Sequence, residues 1–302
     1  MKAIDEMGIR GVVSKPEINI AHTPEEFERK KKKVQSFIDF PNINENRIIK
    51  GISCHSVYTV SEEFLKFYSE LAHKHNMHLH IHTCETQKEV DDCQAAHQCS
   101  PIEYLEKLGL LTDKTLLAHC VHLTDNDMDI IKKYNCKVGH CPTSNFKLKS
   151  GMMAFQSLLE KGITITLGTD GSASNNSLSI LEEMKVCALN AKTQAKESKA
   201  GKVEDILKVA TINGAKAFGI DAGEIKEGKL ADFILLDLNH YLLMPNYNLI
   251  SNIVYSAQNE CVCDVFCDGV QLMKDRKVKD EEKIKEEFRI VSDKYRKLED
   301  SK

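Results

Sequence analysis

No apolar run in this 302-residue chain approaches the length that crosses a bilayer, and the opening residues MKAIDEMG carry no hydrophobic core of the kind a secretory leader needs. Membrane insertion and export are therefore not expected, and the expected location is the cytoplasm. A basic stripe is missing too. Lysine and arginine number 41 against 45 acidic residues, for a net charge of −4, so a nucleic-acid polymer is not an expected partner, although a single nucleoside is compatible. The run Lys30 to Lys33 reads as the solvated face of a helix. The 11 cysteines include no CxxC knuckle, are odd in number and sit mostly on apolar patterns. That excludes a disulfide framework and points to a reduced intracellular protein. Cys261, Cys263 and Cys267 share one strand parity but lack structural-zinc spacing. An internal repeat is also absent, which excludes a solenoid.

What is present is an ordinary globular balance, 42% hydrophobic and 28% charged, enough for a large α/β domain. Strands are expected at 9–14, 48–53, 77–85, 114–120, 136–140 and 163–168. Helices should lie between them, opened by Pro24, Ser61, Gln87 and Thr124, or starting after Met152. Two more helices are expected at 176–192 and 203–218. Six strands alternating with helices mean parallel βαβ units. His55, His82, Glu85, His119, His140 and Asp170 all fall at or just past strand C-termini, where a (β/α) barrel places its chemistry. A doubly wound sheet concentrates ligands near one switch point instead. The expected fold class is therefore α/β, an incomplete TIM-type (β/α) barrel with about six of eight units. From residue 223 short alternating strands without intervening helices suggest a small β-sandwich portion. The last stretch, 280–298, is an amphipathic helix with Ile284, Phe288, Val291, Tyr295 and Leu298 on one face, expected to pack back on its own chain. The expected domains are 1–220, 221–280 and 281–302.

The densest chemistry lies in MHLHIHTCE, residues 77–85. On a strand His78, His80 and His82 share one face, and Glu85 follows at the C-terminal end. Imidazoles beside a carboxylate suit a metal site with its own proton carrier, while satisfied core histidines are the plainer reading of this stretch alone. A metal held by His and Asp brings the pKa of bound water toward about 7 and supplies hydroxide at neutral pH.

The segments HIHTCET (80–86), LLAHCVHLTD (116–125), VGHCPTSNFKLKSG (138–151) and LGTDGSASNNSLSILEEMK (167–185) together resemble the amidohydrolase superfamily. The likeness is to its branch of 5-methylthioadenosine/S-adenosylhomocysteine deaminases and triazine chlorohydrolases. GISCHSVYTVS (51–61) and GKLADFILLD (228–237) add weaker support. The resemblance implies a metal-dependent aminohydrolase that deaminates an adenosine-type nucleoside, S-adenosylhomocysteine or 5′-methylthioadenosine, by attack of metal-bound hydroxide. Guanine deaminase and chlorohydrolase chemistry are its alternatives. It implies one divalent metal, zinc or alternatively ferrous iron. His82 and Asp170 match metal ligands, and Asp170 is also the general base. Glu85 matches the proton donor to the purine ring and His119 the residue steering the water, near the metal. His55 matches a nucleoside contact, and Lys15 stands where the family often offers an arginine to substrate. His78 and His80 match no role, His122 reads as peripheral, and Ser144 and Asn145 as shaping their loop.

The departure from the family is at the start. Its members begin with an H-x-H strand that supplies two ligands, and no histidine precedes His22 here. Residues 1–8 read as the tail of a helix, so two strand–helix units of the barrel are unaccounted for. This leaves a reading of another class: a catalytically inactive fragment, or a half-enzyme needing a partner chain or complementing N-terminal segment. A homo-oligomer is a further expectation.

Overall fold

In the computed structural model, which describes residues 1–18 and 23–299, the chain builds one long parallel sheet, a small antiparallel sheet and a final helix. His22, the first histidine, lies outside the described residues. The strands of the first part are β1 (Gly11–Val13), β2 (Pro16–Glu17), β3 (Ile48–Lys50), β4 (Ile52–Ser56), β5 (Leu79–Thr83), β6 (Thr115–His119), β7 (Lys137–His140) and β8 (Thr164–Leu167). Six of them form one sheet in the order β2-β4-β5-β6-β7-β8, every pair parallel. Strand order follows chain order with no switch point, so the sheet is that of a partial (β/α) barrel and not of a doubly wound fold.

Each crossover shows how sequence sets the geometry. Helix Glu62–His75 starts where the Ser61 hydroxyl accepts the Phe64 amide and stops at Asn76, which takes a left-handed conformation. Its buried face carries Phe64, Leu65, Tyr68, Leu71 and Ala72, the i, i+4 stripe of an amphipathic helix. On β5 the period is two: Leu79 and Ile81 are buried under the helices while His80 and His82 face the other way, half-buried. Phe64, Leu105, Leu117 and Phe155 lie in the continuous core between sheet and helices. Truncating a fully buried leucine such as Leu117 to alanine costs about 2–5 kcal/mol.

Several expectations are corrected. The segment expected as the first barrel strand, 9–14, leaves the main sheet: β1 pairs with β3 in a separate two-stranded sheet. The main sheet opens instead with β2, whose residues pair with Ser53 and Cys54. The expected strand 48–53 splits at Gly51, where a Cβ would lie 3.1 Å from the His78 carbonyl oxygen. That close approach lets Ile52 donate to the same carbonyl at 2.8 Å and start β4. The helix expected over 203–218 breaks at Thr211, which leaves the helical region at φ −130°, ψ −94°.

The expectation of a β region without helices after residue 223 is also overturned. Between β9 (Phe233–Leu236) and β10 (Val262–Cys267) lies the helix Leu249–Tyr255, capped by Asn248 and burying Val254. β10, β11 (Val270–Lys274) and β12 (Lys277–Val278) then complete a four-stranded antiparallel sheet. Arg10 ties this sheet to the first part, with Nε 2.6 Å from Asp232.

The final helix, Glu281–Glu299, does not pack back on the chain as expected. None of its residues is buried, and Phe288 is 71% exposed. It stands on its own chemistry: acids in the first turn, bases in the last, and ion pairs from Lys285 to Glu281 and Glu282 and from Arg289 to Glu286. No helix among the described residues is long and apolar enough to cross a membrane. All 11 cysteines are free, and only Cys263 is not buried.

Candidate active site

The parallel register places the strand ends side by side: His82 pairs with Ala118, Thr83 with His119, and His140 with Leu167. Imidazoles from three strands meet there. The His82 ring lies 5.0 Å from that of His55, 4.9 Å from His80 and 5.3 Å, stacked, from His119. Their tautomers follow from their partners. A carbonyl can only accept, so His82 Nδ1–H donates to the His55 backbone oxygen at 2.7 Å and leaves the Nε2 lone pair free. His119 Nδ1–H donates to Asn145 Oδ1 at 2.8 Å, which turns its Nε2 toward Glu85 Oε2, 3.8 Å away. His55 Nδ1 is tied to the Thr59 hydroxyl at 2.9 Å. Burial, reinforced by the neighbouring rings, holds His82 low and brings His80 down to about 4, so both are neutral at pH 7.

Asp170 lies three residues past the end of β8 with φ +61°, a left-handed backbone. Both of its oxygens are engaged. Oδ2 accepts the Ser144 hydroxyl at 2.7 Å and Oδ1 the Gly171 amide at 2.7 Å. Burial pushes this carboxyl up, but those two bonds and the fields of His119 and His82 outweigh it and hold it below the usual carboxylate range. Glu85 is held more lightly, by the Ser150 hydroxyl on Oε1 at 3.0 Å. Cys84, His119 and Cys120 share the left-handed backbone of Asp170, at φ +52°, +72° and +49°. Such strain in side-chain-bearing residues persists only where the surroundings enforce it and gathers at functional sites.

Two further carboxylates stand behind these groups. Glu89 accepts the amides of Cys84 at 3.0 Å and Glu85 at 2.8 Å, and burial raises its carboxyl to about 7. Glu183, fully buried, accepts the Thr143 amide at 3.2 Å and Asn175 Nδ2 at 2.7 Å, while the same Asn175 nitrogen donates to the Thr169 carbonyl. Neither was singled out in the sequence. The available signal was the position: Glu89 lies in the first turn of the helix after β5, and Glu183 in the first turn of the second helix after β8.

His55, His82, Glu85, His119 and Asp170 are thus brought together as their strand-end positions suggested. His80, which matched no role, joins the imidazole cluster, whereas His78 packs against Phe218. His140 lies beneath the site, fully buried, with both ring nitrogens unpartnered among the described residues, and burial takes it to about 3. Ser144 and Asn145 do more than shape a loop, since they bond Asp170 and His119 directly. His122 acts one step back: its Nε2 donates to the Ser150 carbonyl. Lys15 is elsewhere. It lines a groove of about 770 Å³ with Glu25, Arg29, Lys32 and Phe37, which none of these imidazoles lines.

The donors suit a divalent metal in kind. His82 presents a free nitrogen with its tautomer set, and Asp170 is ionised. They are few in number, because no group of three His, Cys, Asp or Glu among the described residues could hold an ion.

Comparison with known proteins places the chain in a family. The family model described as "Amidohydrolase family" matches residues 1–272. A protein of Methanothermobacter thermautotrophicus named 5′-deoxyadenosine deaminase is 39% identical over 274 residues, covering 91% of this chain and 64% of that protein. A 5-methylthioadenosine/S-adenosylhomocysteine deaminase of Aquifex aeolicus is 39% identical over 291 residues, covering 94% and 66%. The chain therefore spans a little under two thirds of the length of these relatives. Among solved structures, an adenosine deaminase from Xanthomonas campestris with bound zinc superposes with a TM-score of 0.89 at 28% identity, covering 98% of this chain and 68% of that one. The zinc complex of an atrazine chlorohydrolase from Arthrobacter aurescens TC1 shares the fold, with a TM-score of 0.83 at 19% identity over 92% and 64% of the two chains.

Proposed function

The chain belongs to the amidohydrolase family, and from that premise we propose that its strand-end cluster serves the hydrolytic deamination of an adenosine-type nucleoside. The expected substrates are S-adenosylhomocysteine and 5′-methylthioadenosine, joined by 5′-deoxyadenosine because relatives carry that name. The supporting observation is the pairing of an ionised, doubly bonded Asp170 with a lightly held Glu85 across two oriented imidazoles. Asp170 is fixed at both oxygens, and Glu85, with a single bond, is freer to change partners.

A divalent metal, zinc or alternatively ferrous iron, would be held by His82 and Asp170, and when bound it supplies a Lewis acid that makes water nucleophilic at neutral pH. The chain's own residues do the rest. Asp170 takes the proton of the attacking water, and His119, fixed by Asn145, orients that water through Nε2. Glu85 delivers a proton to the purine ring nitrogen as the water oxygen bonds to C6. Asp170 then passes the proton it took to the exocyclic amino group, the bond from C6 to that nitrogen breaks and ammonia leaves. The remaining hydroxyl proton returns to Glu85 as the C6 carbonyl forms. His55, tied to Thr59 through Nδ1, keeps Nε2 for the nucleoside. Lys15, in its separate groove, takes no part. The free, buried thiols support a reducing compartment such as the cytosol.

The test is ammonia release by the zinc-loaded protein from 5′-deoxyadenosine, 5′-methylthioadenosine, S-adenosylhomocysteine and guanine. Turnover of the adenosine compounds is expected, and preference for guanine would transfer the assignment to guanine deaminase. A second reading has its own support: no group of three His, Cys, Asp or Glu among the described residues that could hold an ion, and an apolar groove of about 950 Å³ lined by Val12, Leu207, Phe218, Ile234, Phe266 and Leu272. Under this reading the site is completed by further chain seated in that groove, and the 302 residues alone are silent. Zinc below one per chain together with no turnover would favour it.

A further inference from the structure

We propose that Glu89 is a positioning residue for Glu85, holding the peptide that carries the proton donor in place. The inference rests on the role of Glu85 proposed above.

Two helices of this chain show what an acid at the third helical position ordinarily does. At Ser100 and at Thr124 the N-cap hydroxyl accepts the amide of Glu103 or Asp127, and that acid reaches back to the N-cap amide, closing a capping box. Helix Gln87–His97 has the same parts, Thr86 as N-cap and Glu89 at the third position, with the Glu89 amide donating to Thr86 Oγ1 at 3.2 Å. Yet the Glu89 carboxylate does not close the box. It passes over Thr86 and accepts the two amides before it, Glu85 at 2.8 Å and Cys84 at 3.0 Å.

The cost of that choice is visible. Glu89 is 4% exposed and forms no ion pair among the described residues; burial lifts its carboxyl to about 7, and the amide hydrogen bonds are what favour its ionised form. The bonds act where the backbone is strained, since Cys84 at φ +52° turns the chain out of β5 and sets the direction of the Glu85 Cα–Cβ bond. From there the Glu85 carboxylate reaches Ser150 and faces His119. An ordinary box would cap the helix equally well and leave the Glu85 peptide held only at its other side, where the Cys84 carbonyl accepts the Val121 and His122 amides at 2.9 Å each. Only a carboxylate can accept both amides, because a glutamine in the same rotamer offers one oxygen and one NH2 group.

The experiment uses the zinc-loaded full chain with Glu89→Gln and Glu89→Asp, and Thr86→Ala as a control for helix capping. In Glu89→Gln, kcat is expected to fall by about 10²-fold, the scale of a displaced reacting group, with KM within about twofold. Glu89→Asp, which keeps the charge but is one methylene shorter, should lie between. Thr86→Ala should lower the melting temperature while leaving kcat unchanged. A folded Glu89→Gln with wild-type kcat, or a fall in kcat that Thr86→Ala reproduces, overturns the proposal. Amide exchange of Glu85 and Cys84 provides the readout independent of turnover. Exchange at least about tenfold faster in Glu89→Gln, the scale set by losing one charge-assisted hydrogen bond, is expected, and unchanged exchange overturns the proposal. If the wild-type chain releases no ammonia from any nucleoside, the functional reading fails by itself and the exchange measurement alone decides. If Glu89→Gln does not fold, Glu89→Asp carries both measurements.

Discussion

The loops after β5 and β8 each present a carboxylate with a proposed role in the chemistry, and they hold it in opposite ways. After β8 the carboxylate itself is gripped: Asp170 spends one oxygen on Ser144 and the other on Gly171. The buried Glu183 then joins the loop of β7 to that of β8 through Thr143 and Asn175. After β5 the grip is on the backbone. Glu89 clamps the amides of Cys84 and Glu85, while the Glu85 side chain keeps one bond from Ser150 and a 3.8 Å approach to His119. The proposed metal ligand gains from a fixed geometry and a carboxyl that stays ionised, whereas the proposed proton carrier must change partners, so its peptide is anchored and its carboxylate is held by fewer bonds.

The contrast can be broken at either loop. Asp170→Asn should have the largest effect, a loss of about 10⁴-fold in kcat with zinc content falling alongside, read by ammonia release and metal analysis. Glu85→Gln should cost about 10³-fold in kcat but leave zinc content unchanged. Equal zinc loss in the two variants would erase the distinction between them. Ser144→Ala removes a bond that lowers the Asp170 pKa, so that pKa rises and the acid limb of the pH–rate profile moves to higher pH. With one hydrogen bond to a charged group gone, kcat should drop about tenfold. The smallest effect belongs to Glu183→Gln, which loses one of two acceptor oxygens well behind the chemistry. Its melting temperature should fall by about 3 °C, with kcat within about twofold of wild type.

Legibility in the sequence followed distance along the chain. The crossovers could be anticipated from apolar period and caps: Ser61 and Thr124 start helices where their hydroxyls meet the third amide. His82 and Glu85 stood out because a strand period of two and a short turn are local facts. His80 did not, because nothing in its own segment says that His119 and His55 lie across the face it points to. The fate of residues 9–14 was hidden as well, since β1 and β3 form a sheet only because residues 37 positions apart pair in parallel, as Gly11 does with Ile48. The final helix shows the converse error. Its apolar stripe was legible, and what it packs against was not.

By itself, the order of residues determined the parallel α/β architecture, the strand ends at which His82, Glu85, His119 and Asp170 fall and the family to which the chain belongs, because periods, caps and motifs are carried within a few consecutive residues. Only the tertiary structure decided which imidazole keeps a free nitrogen, why Asp170 stays ionised, and that Glu89 passes over its own helix cap to hold Glu85. Those outcomes depend on hydrogen bonds between strands and on burial, which arise only once the sheet has brought distant segments within about 3 Å of one another.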